Sequence, residues 1–135
     1  MKYNISPNKI IILQPNEIFG FGSNLSGFHG AGAAKLAFDE FDAIYGQGVG
    51  LQGRSYAIPT KDYYIRRTLT IGEIKPYVDD FILFANDNQS LKFLLTEIGC
   101  GLAGINVNDI APLFKDCLDL DNVYLPQRFV NCLLA

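Results

Sequence analysis

The sequence predicts an α/β protein, a three-layer α/β/α sandwich around a mixed, largely parallel central sheet. Three observations carry this reading. Short runs of β-branched and aromatic residues alternate with stretches of helical apolar spacing. Residues 93–98, Phe-Leu-Leu-Thr-Glu-Ile, form a near-continuous apolar run, the pattern of a strand covered by helices on both faces. Two glycine-rich loops, residues 22–32 and 99–104, each follow a strand and precede a helix, and in open α/β sheets such loops gather at the carboxyl ends of the strands.

The elements follow in order. Residues 9–13 and 17–21 read as two short strands separated by the turn-like Gln14-Pro15-Asn16, able to pair or to lie in sequence. After glycines 27, 30 and 32, the residues Ala34, Ala37, Phe38 and Phe41 recur at helical spacing. A second glycine cluster at 46, 48, 50 and 53 precedes Ser55-Tyr56-Ala57-Ile58, a strand expected to stop before Pro59. Apolar residues at 74, 77, 78, 81, 82, 84 and 85 predict an amphipathic helix with Pro76 in its first turn. Asn106 or Asn108 caps a helix through Leu118, and Val123-Tyr124-Leu125 before Pro126 is the last strand.

A chain of 135 residues with a 49 % hydrophobic share has the size and material of a single domain, here residues 1–135. Its net charge of −3 excludes a general nucleic-acid binder, which carries a basic stripe. Cys100, Cys117 and Cys132 are odd in number without a C-x-x-C pair, and His29 is the only histidine. Neither a disulfide framework nor a zinc site follows from that set, and no cofactor is expected. The N-terminus lacks a signal-type segment and no apolar run approaches the ~20 residues of a membrane span. The expectation is a cytoplasmic protein without membrane contact.

The chemistry concentrates in the glycine loops. Gly22, Gly30 and Gly32 with Ala31 in the first loop, and Gly99, Cys100, Gly101, Leu102, Ala103 and Gly104 in the second, can direct backbone N–H groups at a phosphate. Neither loop has the G-x-x-x-x-G-K-[ST] or G-x-G-x-x-G spacing. Each glycine can equally serve a tight turn. Ser23 and Asn24 stand where the 17–21 strand gives way to the loop; the Asn24 amide can read a sugar hydroxyl or shape a turn. His29 can act as an acid or base, or donate a hydrogen bond within the loop. Cys100 has the place of a nucleophile and the character of a small core residue. Thr60, Lys61 and Asp62 follow a strand and can face the same cleft, Lys61 toward phosphate and Asp62 as a base; Tyr63 and Tyr64 can stack on a base or pack.

Taken together, Glu17-Ile18-Phe19-Gly20-Phe21-Gly22-Ser23-Asn24, Gly30-Ala31-Gly32-Ala33-Ala34, Ala57-Ile58-Pro59-Thr60-Lys61 and the 99–104 loop resemble a compact macro domain of bacterial or phage type, over residues 17–126. The resemblance implies an α/β/α sandwich that binds ADP-ribose or a related NAD-derived nucleotide, free or attached to protein or nucleic acid. It places Asn24 near the distal ribose and the two glycine loops around the phosphates. The G-C-G-L run is similar to the branch that hydrolyses ADP-ribose linkages. That branch has a lysine where this chain has Ala31 and an acidic residue where it has Asn106, so the resemblance leaves binding module and hydrolase both open, with His29 and Asp62 as the candidate catalytic residues. An alternative is a non-catalytic protein-interaction domain with structural glycine loops, meeting its partner through an exposed apolar C-terminus at Phe129-Val130 and Leu133-Leu134.

Overall fold

The computed structural model describes residues 3–135. Among them the chain forms β1 (Glu17–Asn24), α1 (Gly32–Glu40), β2 (Gly50–Gln52), β3 (Ser55–Lys61), α2 (Ile71–Asp87), β4 (Lys92–Leu95), α3 (Val107–Ile110), a 3-10 segment (Ala111–Asp119), β5 (Val123–Tyr124) and α4 (Gln127–Leu134). The strands lie in the order β2-β3-β1-β4-β5. The pairs of β1 with β3 and β4, and of β4 with β5, are parallel, and only β2 runs antiparallel, against β3. The sheet is therefore mixed and mostly parallel, as the sequence predicts.

Its two faces bury different partners. Phe93 and Leu95 of β4 join a core with Val78 and Phe81 of α2, Phe114 of the 3-10 segment and Phe129 of α4. Leu94 points the other way, into a core with Phe19, Phe21 and Ala37. Successive strand residues face opposite sides, so an unbroken apolar run is what a strand between two layers requires.

Helix α2 begins at a capping box: the Thr70 hydroxyl accepts from the Glu73 N–H, and the Glu73 carboxylate accepts from the Thr70 N–H. Its buried stripe is Ile74, Val78, Phe81 and Ala85. Pro76 lies in the second turn rather than the first, where its missing N–H removes one helical hydrogen bond. The Glu73 carboxyl is held down to about 2, first by the Arg67 guanidinium and then by the Thr70 N–H. A carboxyl with a depressed folded-state pKa contributes stability above its ordinary value of 4.5, and that contribution fades as pH falls toward 2. Glu73→Gln is therefore expected to be less stable than the parent at pH 6, the difference closing between pH 4.5 and pH 2. Urea denaturation across that range tests this; an equal difference at both ends would contradict it.

Several expectations are corrected. Residues 9–13 have no regular structure. Ile10 and Leu13 are buried in the second core while Ile11 and Ile12 are exposed, a spacing of three that suits a segment lying across a sheet face, not a ladder. Strand β3 continues through Pro59 to Lys61. Strand β2 pairs only with Ser55, Tyr56 and Ala57, and the β1 register slips between Ser23 and Asn24, so Pro59 sits beside an irregularity where no ladder bond is lost. Strand β4 ends at Leu95, before Ile98. The helix expected through Leu118 divides into α3, capped by Asn106, and the 3-10 segment, because Pro112 stands where an α-helix would need its N–H. Phe129 and Val130 are buried, not exposed; Leu134 alone of the C-terminal apolar set is prominently exposed. No helix among the described residues is long and apolar enough to cross a membrane.

Candidate functional site

The carboxyl ends of β1, β3 and β4 open onto a cavity of ≈ 660 Å³, within the range of small-molecule sites. Its wall includes Gly22, Ser23 and Asn24 at the end of β1, Gly30, Ala31 and Gly32 ahead of α1, and Thr60 and Lys61 at the end of β3. Gly99, Cys100, Gly101, Leu102 and Ala103 close it from the β4 side. The two loops, some seventy residues apart in sequence, thus share one cavity because β1 and β4 are neighbours in the sheet. Of the glycine-loop residues expected there, Gly104 is outside the wall; its positive φ of 71° and its N–H bond to the Gly101 carbonyl instead close the turn.

The polarity of this wall is set by the backbone. Among the described residues, the N–H groups of Gly30, Ala31, Gly32, Ala33 and Ala34 have no acceptor, and neither do those of Gly99, Gly101, Leu102 and Ala103. Unpaired N–H groups are costly away from water or a ligand, and clustered ones attract anions. Gly22 keeps the loops close: a Cβ there would stand 3.3 Å from the Gly99 nitrogen. Leu102 reaches across the cleft, its Cδ1 3.2 Å from where a Gly32 Cβ would be.

The side chains are more committed than the sequence suggests. Asn24 is buried; its Nδ2 donates to the Phe28 carbonyl (2.8 Å), and its Oδ1 accepts from the Ser26 hydroxyl and the Phe28 N–H (2.9 Å each). It is the staple of the first loop. The Ser23 hydroxyl donates to the Gly48 carbonyl and that of Thr60 to the Ser23 carbonyl. Lys61 has no ion-pair partner among the described residues and is the cation of the wall. Glu97 is its carboxylate, clamped by Arg128 through two bonds of 2.6 and 2.7 Å, which hold its pKa below the usual range.

His29 and Asp62 do not line the cavity. The His29 ring is buried behind the loop, Nε2 facing the Ile44 carbonyl (2.9 Å) and Gln52 Oε1 (3.1 Å), with Phe21 edge-on to it. Both partners are acceptors, so Nε2 carries the proton and the ring is a structural donor. Asp62 Oδ1 accepts from the Arg66 and Arg67 N–H groups. Desolvation pushes this carboxyl up, but those N–H groups and the two arginine charges outweigh it and hold it below its ordinary value. Cys100 is a thiol: burial, then the Glu97 charge, raises its pKa. Lys35 pairs with Asp39 along α1, and Asn106 and Asp109 lie outside the cavity, so nothing restores the charges absent at Ala31 and Asn106.

The sequence reading missed Phe28, Ala33, Ala34, Ile65, Thr96, Glu97 and Ile98 as wall residues. Phe28 adjoins His29 and Gly30, so its loop position was a usable signal; Ile65 had none. Also missed is a second cavity of ≈ 790 Å³ between the 6–11 segment and α1, sharing Ala33, Thr96 and Glu97 with the first and walled by Ile10, Phe19, Leu36 and Leu95. Together the fold and the site define an α/β protein with a cleft of unpartnered N–H groups at the carboxyl edge of its sheet. The chain matches no protein-family model, curated protein or solved structure.

Proposed function

We propose that this protein binds ADP-ribose or a closely related NAD-derived nucleotide, holding the pyrophosphate between the two glycine loops. The observation that carries this reading is the pair of facing loops whose unpartnered N–H groups border one cavity. A pyrophosphate offers acceptor oxygens and negative charge, the complement of such a wall. Lys61 adds a cation, and Arg128 offsets the Glu97 carboxylate. The adjoining cavity, walled in part by Ile10, Phe19, Leu36 and Leu95, offers apolar surface to a planar base, so a nucleotide with a base and a second sugar fills the two spaces better than free phosphate does.

The arrangement favours holding a ligand over cutting one. His29 and Asp62 are turned to structural bonds, and the wall offers no side chain poised to activate water except the Arg128-bound Glu97. Titration calorimetry with ADP-ribose, NAD, AMP and cyclic ADP-ribose is the test. ADP-ribose is expected to bind, and AMP to bind more weakly because it lacks half of the pyrophosphate. No binding to any of the four defeats the reading. Release of ADP-ribose from a modified protein or DNA would convert the module into an enzyme.

A further inference from the structure

The loop after β3 contains a backbone outlier at the mouth of the cleft. Ile65 has φ +59°, the left-handed region, which a β-branched side chain enters only at a cost. The conformation is over-determined by its neighbours. The Asp62 carboxylate accepts from the Arg66 and Arg67 N–H groups, the Ile65 N–H donates to the Asp62 carbonyl, and the loop is closed by the Asp62 N–H to the Arg67 carbonyl and by the Lys61 to Thr68 bridge. Glycine or asparagine would satisfy this turn without strain. Ile65 instead lines the cleft while remaining 38 % exposed, so part of its side chain is still open to a ligand. Ile65 and Phe28 border the first cavity and not the second.

We infer that Ile65 is a ligand-contacting specificity residue, its strained backbone aiming an apolar side chain at the carbon face of the sugar beyond the pyrophosphate. This rests on the ADP-ribose reading. The Asp62 hydrogen bonds hold the strain in the free protein, and the part of the side chain still exposed becomes buried when ligand fills the cleft. Asp62 acts here by positioning Ile65, which accounts for its place beside the site without a role as a base.

The test compares Ile65→Asn, Ile65→Gly and Ile65→Val by thermal melting and by calorimetric titration with ADP-ribose. Asn and Gly accept the left-handed conformation, so their melting temperatures are expected to equal or exceed that of the parent while ADP-ribose binding weakens roughly tenfold, about one buried apolar contact's worth. Val keeps the branched apolar surface and is expected to bind within about threefold of the parent. Parent-like binding by the Asn and Gly variants, or melting temperatures lowered in both, overturns the inference while leaving the ADP-ribose reading intact. Failure of the parent itself to bind ADP-ribose overturns both.

Discussion

Gly101→Glu is expected to abolish ADP-ribose binding, by a hundredfold or more, without lowering the melting temperature. Gly101 has no positive φ, and a Cβ there would meet nothing within 4 Å, so the fold accepts a side chain. Its N–H is unpartnered and its position is on the cavity wall. A carboxylate there would face the two negative charges of a pyrophosphate. At ~4 Å and an effective dielectric of ~20, each such pair costs about 4 kcal/mol, well above the ~2.7 kcal/mol of a hundredfold loss. Gly101→Gln is the control, adding bulk without charge, and should retain most of the binding. Calorimetry and thermal melting of both variants read the result. Undiminished binding by the Glu variant would place the phosphates elsewhere.

Asn24→Ala is expected to destabilise the protein by about 2–4 kcal/mol and to weaken ligand binding together with it. The side chain satisfies the Phe28 N–H and C=O and the Ser26 hydroxyl at a buried position, and each buried group left without a partner costs ~1–3 kcal/mol. At this size the loss corresponds to a melting temperature lower by roughly 10 °C. Asn24→Asp separates the contributions: it retains the acceptor for Phe28 N–H and replaces the donor by an oxygen facing the Phe28 carbonyl. With a buried charge and two oxygens face to face, it is expected to be at least as destabilised as the Ala variant in urea denaturation at neutral pH. A stable Asn24→Ala protein that loses only binding would instead make Asn24 a ligand contact, as the macro-domain resemblance implies.

Much of the scaffold was legible because periodicity and covering layers leave a local imprint. The alternation of Phe93, Leu94 and Leu95 between two cores is written into an unbroken apolar run, and the α2 stripe into its helical spacing. The glycine loops were legible for a similar reason, since a chain that must turn sharply beside a strand end uses residues without a Cβ. Side-chain roles were less so. An Asn at a strand end reads the same whether its amide faces a sugar or Phe28, and a histidine in a glycine loop reads the same whether its ring faces the cleft or Gln52. Residues 9–13 carry the β-branched composition of a strand, yet they bury Ile10 and Leu13 in the second core without entering the sheet.

The sequence by itself determined the layered α/β architecture, the two glycine-rich junctions and their position at one edge of the sheet, because these follow from local spacing and backbone freedom. Tertiary structure decided what faces the cleft. It joined Arg128 to Glu97 across 31 residues, turned His29 inward and set Ile65 at the mouth in a conformation its own propensity opposes. Those outcomes depend on which groups converge in space and compete for the same hydrogen bonds, and convergence between segments distant along the chain has no local signature.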